Sequence, residues 1–249
     1  MVAVEANPEL VTAGESRFRA EIAEGRLTIV NKAIAEQPGT VTLYLSDNTL
    51  WSSLDSERTE QFKQRMKVNA VAVEVEAITS DVVLAAHGVP YYLKIDIEGM
   101  DMTALRGLRT SGERPPFISM ESARRDLQGV RDEIALLQDL GYDRFKVVPQ
   151  HHVQYQKEPS PPREGKPAGT PLAESSGLFA RDLPGPWLSA AEAVDAYRRP
   201  LLNHYLTGSD HLIRNRWLRA GLKRAGFRPG WYDTHAMLAG VPAVENASC

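Results

Sequence analysis

The sequence predicts an α/β protein built on a mostly parallel sheet with helices on both faces. Three observations carry this. Short apolar runs alternate with helical stretches through residues 2–150. A carboxylate directly follows three of the runs, as Glu5, Asp96 and Glu121 do. In open α/β sheets such carboxyl ends are where ligands bind. Glycines stand where helices or strands should stop, at Gly25, Gly88, Gly99 and Gly141.

In chain order, Val2-Ala3-Val4 is a short strand. Asn7 suits an N-cap and Pro8 the first helical position, so a helix is predicted to about Glu24, with Val11, Phe18 and Ile22 near one face. Residues 27–30 form the next strand, and Gln37-Pro38-Gly39 a turn into an alternating strand at 41–45. A polar loop at 46–53 holds Trp51, and 56–67 is predicted helical. In 68–78, Val71, Val73 and Val75 alternate with Ala72, Glu74 and Glu76, which is the period of a strand with one polar face. Ser80 or Asp81 caps a short helix ending at Gly88. The run 91–97 is the most acid-marked strand, and a helix follows from about Met100 to Leu108. Residues 117–120 form another strand, 131–140 an amphipathic helix, and 145–148 the last strand of this series.

After Gln150 the character changes. Residues 157–171 hold five prolines and two glycines, which marks an extended loop. Helices are predicted at 190–199, with Ser189 as cap, and at 211–225. The second is basic, with Arg214, Arg216, Arg219, Lys223 and Arg224 and no acid; Leu212, Trp217 and Leu222 would let it cover a core. A final strand spans 231–238. The domain organisation expected is a core over 1–150, a Pro-rich and helical substrate-side insertion over 151–230, and a closing strand and tail over 231–249.

Hydrophobic residues make up 43% and charged ones 24%, the balance of a soluble globular protein. A net charge of −3 gives no reason to expect a nucleic-acid partner, and no apolar run suggests a membrane one. The lone Cys249 excludes a disulfide framework, and the first residues carry no basic leader, so a cytoplasmic setting is expected.

Candidate chemistry follows from spacing. Asp96 and Glu98 are two apart, so an extended backbone turns both to one side. Asp233 and His235 share a strand face in the same way, within reach of an Asp–His pair that would suit a general base. Asp101 suits the first turn of the helix that follows Gly99. His151 and His152 are adjacent, point apart in an extended chain, and make a poor metal pair; no metal site is expected. Trp51 and Ser52 are candidates for a substrate pocket.

Four stretches resemble the FkbM family of S-adenosylmethionine-dependent methyltransferases. They are Val2-Ala3-Val4-Glu5-Ala6-Asn7-Pro8, Asn31-Lys32-Ala33-Ile34, Lys94-Ile95-Asp96-Ile97-Glu98-Gly99, and the pair formed by 145–150 with Trp231-Tyr232-Asp233-Thr234-His235-Ala236. The third is the most specific. The resemblance implies a Rossmann-like class I methyltransferase fold and S-adenosylmethionine as cofactor. It implies O-methylation of a hydroxyl on a sugar, polyketide or other small metabolite. On this likeness Glu5 would accept hydrogen bonds from the ribose hydroxyls, Lys32 and Ala33 would lie beside the adenine, and Asp96 would face the cofactor. Asp96, Glu98 and His235 are the catalytic candidates, with Trp51, Ser52 and Asp233 on the substrate side. Such enzymes begin with a strand and glycine-rich turn that would precede Val2, so an N-terminally incomplete, destabilised sheet is expected. Two other readings are a degenerate methyltransferase-like binding domain and another Rossmann-like group transferase.

Overall fold

The computed structural model describes residues 1–46, 70–97, 99–122, 126–165, 167, 175–208, 212–213 and 215–242. Trp51, Ser52, Glu98 and the helix predicted over 56–67 lie outside the described residues. The chain forms two compact units, one of residues 1–89 and 96–114, the other of 90–95 and 115–249.

In the first unit, β1 (Val2–Val4) pairs in parallel with β2 (Thr28–Val30), Val2 opposite Thr28. The crossover is helical. Asn7 caps α1 (Pro8–Arg17), its side chain accepting from the Glu9 N–H at 2.9 Å. The helix predicted through Glu24 breaks at Phe18, and α2 (Arg19–Ala23) follows. Gly14 lets α1 approach the sheet, since a Cβ there would stand 3.2 Å from Ile29 Cδ1. Asn7 is 1% exposed and satisfies an otherwise orphaned helix N–H. Asn7→Ala should cost about 1 kcal/mol, read as a lower urea midpoint at unchanged m-value.

The strand predicted over 68–78 forms as Ala70–Ile78 and its alternation holds over 73–76, while Val71 is 63% exposed. β5 (Ala70–Ile78) is antiparallel to β4 (Gly39–Ser46) and parallel to β3 (Ala33–Ile34), in the order β3-β5-β4. Glu74 and Glu76 face solvent while Val73 and Val75 are half-buried. Thr42 Oγ1 donates to its cross-strand partner Glu74 at 2.8 Å. Helices α3 (Ser80–His87) and α4 (Asp101–Gly107) cross closely at Gly107, where a Cβ would meet that of Ser80 at 3.1 Å.

The second unit holds a four-stranded sheet of β6 (Tyr92–Ile95), β7 (Phe117–Glu121), β8 (Tyr142–Pro149) and β9 (Tyr232–Leu238), ordered β6-β7-β9-β8. β6 and β7 are parallel, and β9 runs antiparallel to both its neighbours, so the sheet is mixed. Phe117, Ile118, Ser119 and Met120 are all buried, as a central strand covered on both faces requires. Phe117 and Met237 pack with Ala180, Phe179 and Trp187. Helix α5 (Leu127–Asp139) starts earlier than predicted because Asp126 caps it, accepting from Gly129 N–H at 2.7 Å. It buries Val130, Glu133, Ile134 and Leu137. The helix predicted at 190–199 is two, α6 (Ala190–Ala196), opened by a Ser189/Glu192 capping box, and α7 (Arg198–Thr207). Asn215 caps α8 (Arg216–Arg224).

Candidate functional site

In the first unit, Glu5 follows β1 and is half-buried. Its N–H continues the parallel ladder to Val30 O at 3.0 Å, which fixes the carboxylate at the strand's carboxyl end. Oε1 accepts from the Asn7 N–H at 2.7 Å; Oε2 has no hydrogen-bond partner among the described residues. Asn31 Nδ2 donates to the carbonyls of Glu5 at 2.9 Å and Ala6 at 3.3 Å, tying the exits of β1 and β2 together. Lys32 is held by an ion pair to Glu76, and Ala33 is 1% exposed in β3, opposite Ala77.

The turn after β6 also belongs to this unit. Asp96 is exposed. Asp101, 7% exposed, accepts from the Ile97 N–H at 3.3 Å and the Gly99 N–H at 3.1 Å. Beyond its favourable place in the first helical turn, it ties down the loop that carries Asp96. Gly99 has φ of 102°, a conformation that L-residues seldom adopt, so glycine is what closes this turn.

In the second unit one cross-strand row joins Lys94, Ser119, His235 and Lys146, one residue from each strand. Residues opposite one another share a sheet face. Asp233, next on that face of β9, accepts from Lys94 Nζ at 2.9 Å, with side chains 3% and 23% exposed. The partner Asp233 takes is thus Lys94, in place of the His235 foreseen from their shared face. His235 is 3% exposed, its Nε2 has no partner among the described residues, and Tyr92 stacks beside it at 6.5 Å between centroids. Burial first, then the charges of Lys94 and Lys146, push its pKa down to about 3. The imidazole is neutral at physiological pH and a weak proton acceptor. Lys146 donates to the Leu183 carbonyl at 2.6 Å and lies 4.7 Å from the Trp187 ring centroid; burial and then Arg163 bring its pKa down to about 8.

Sequence reasoning missed a buried hydroxyl network. Glu133 is 0% exposed and accepts from Ser122 Oγ at 3.2 Å and from Thr234 Oγ1. Ser122 and Thr234 are 2.6 Å apart, and Tyr197 OH meets Thr234 at 2.8 Å and also bonds Ser122. Burial, then the charge of Glu133, raises the Tyr197 pKa well above its usual value. The signal was present, because Glu133 falls on the apolar stripe Val130–Ile134–Leu137 at helical spacing.

His151 and His152 do not point apart as an extended chain would make them. Residues Gln150–Tyr155 form a 3₁₀ turn, and the two rings lie 4.1 Å apart. Among the described residues no three His, Cys, Asp or Glu groups gather where a metal ion could be held.

The chain is a mixed α/β protein with carboxylates at the ends of parallel strands, the edge at which open α/β folds bind ligands. The family model for the methyltransferase FkbM domain matches residues 1–144, more than half the chain, running from β1 into β8. The chain belongs to the FkbM methyltransferase family. No curated protein matches the sequence, and no solved structure does.

Proposed function

We propose that this protein is an S-adenosylmethionine-dependent O-methyltransferase acting on a hydroxyl of a small metabolite such as a sugar or polyketide. The observation that carries this is Glu5. A half-buried carboxylate ends parallel strand β1 in a chain of this family, with Oε2 left for a ligand donor. Parallel pairing of β1 with β2 and of β6 with β7 supports a Rossmann-like class I arrangement. When bound, S-adenosylmethionine supplies an electrophilic methyl on its sulfonium. Glu5 accepts from the ribose hydroxyls, and Lys32 and Ala33 remain the adenine-side residues of this reading. Asp96 would accept the proton that the acceptor hydroxyl gives up on methylation. Glu98 is assigned the acceptor side, with Trp51 and Ser52.

The lone Cys249 supports a reducing, cytoplasmic compartment. Among the described residues no helix is long and apolar enough to cross a membrane.

Titration calorimetry with S-adenosylmethionine tests the cofactor assignment. The protein should bind it, and Glu5→Ala should weaken binding by about 10- to 100-fold, the worth of hydrogen bonds to a charged group. A chain that shows no heat of binding would not be such a methyltransferase.

A further inference from the structure

We propose that α8 is a membrane-surface helix that docks the second unit on an anionic lipid bilayer. The inference does not rest on the methyltransferase reading.

The sequence suggested that Leu212, Trp217 and Leu222 let this helix cover a core. The structure overturns that. No residue of α8 is buried. Trp217 is 73% exposed, Leu218 56% and, just before the helix, Leu212 75%. Leu222 alone among the helix's large apolar side chains is half-buried. Leu202 and Tyr205 of α7, the helix against which α8 packs, are exposed as well.

The pattern around the helix is segregated. Trp217 and Gly221 form one i,i+4 row, and Leu218 and Leu222 the row beside it. Arg216, Arg219 and Lys223 occupy the opposite side at i, i+3 and i+7. Arg224, seven residues after Trp217, lies at the border of the apolar side. The Arg216 guanidinium sits 4.6 Å from the Trp217 ring centroid. A basic side opposite an apolar strip that contains Trp is what an interfacial helix presents: the ring and leucines enter the acyl boundary, and the long basic side chains reach the headgroups.

Charge complementarity selects the occupant. The whole chain carries −3, yet residues 211–232 hold six Lys and Arg and no acid. An acidic lipid surface satisfies the cations and the exposed apolar side chains together. A nucleic acid would engage the cations but leave Leu218 and Leu212 in water. An apolar protein groove would bury the leucines but offer no counter-charge. No apolar run suggested a membrane partner; the clustering of cations beside exposed apolar side chains argues for one.

The test is co-sedimentation of the full chain with vesicles of mixed phosphatidylcholine and phosphatidylserine, against vesicles of phosphatidylcholine alone. The protein should bind the anionic vesicles, and less at high salt. Trp217→Ser with Leu218→Ser, and separately Arg216→Glu with Lys223→Glu, should each weaken binding on the order of tenfold or more, the first by removing apolar insertion and the second by reversing the charge that meets the headgroups. All four positions are outside the core, so the melting temperature should hold and a loss of binding can be read directly. The proposal falls if anionic vesicles bring down no protein, or if both double variants bind as the parent does. It also falls if the parent self-associates and Trp217→Ser with Leu218→Ser makes it monomeric, because a second copy is then the occupant.

Discussion

Asp96→Ala should remove methyl transfer, lowering the rate by about two to four orders of magnitude, the range a positioned proton acceptor supplies. The carboxylate stands at the exit of β6 and is exposed, so its loss opens no cavity. Asp101 holds the N–H groups of Ile97 and Gly99, and Gly99 makes the reversal with φ of 102°. Single-turnover assays with a hydroxyl acceptor should show the loss, and Asp96→Asn should fail as well, since an amide keeps the shape but takes no proton. If Asp96→Ala turns over within about tenfold of the parent, the acceptor's proton goes elsewhere. The opposite pattern is expected at Asp101. There Asp101→Ala should loosen the turn and lower stability, because two N–H groups lose a buried carboxylate.

Much of this was legible along the chain because the signals are local. Asn7-Pro8 marks a helix start in four residues' compass, and 70–78 alternates at a period only a strand presents. The acids after β1 and β6 are read by counting from the apolar runs. What was not legible is what depends on distant partners. Lys94 and Asp233 are 139 residues apart, and only the insertion of β9 between β7 and β8 brings β9 into the sheet that carries Lys94. Asp233 was therefore paired with His235, its neighbour by spacing, when a lysine two strands away claims it. The same applies to Ser122, Thr234 and Tyr197, which gather around Glu133 from three distant parts of the chain. The break at Phe18 and the 3₁₀ turn at His151 and His152 are smaller failures of the same kind, where local pattern allowed a longer helix or an extended chain. For α8 the amphipathic pattern was visible, but pattern alone does not say whether an apolar side meets a core.

Lys94→Met should cost about 3 kcal/mol, near the lower end for breaking a buried pair because the lysine side chain keeps 23% of its exposure while Asp233 keeps 3%. Lys94→Met with Asp233→Leu should recover most of that loss, since the penalty is a carboxylate deprived of its ammonium and not a missing contact. Urea unfolding of the two singles and the double gives the coupling. The same substitution changes how stability depends on pH. His235 has a folded pKa of about 3, against about 6.5 for an unfolded histidine. The unfolded chain takes a proton below about 6.5 that the folded one refuses until about 3, so this group's contribution is whole above 6.5 and is lost as pH falls through that window. At pH 5 the loss is about 2 kcal/mol. His235→Gln should flatten that part of the profile. Lys94 is the larger of the two charges that, after burial, hold the imidazole neutral. Lys94→Met should therefore raise the folded pKa of His235 and narrow the window from its acid end. Imidazole resonances followed by NMR read this directly, and a His235 signal in the parent protein that titrates near 6.5 would show that neither burial nor the lysines govern it.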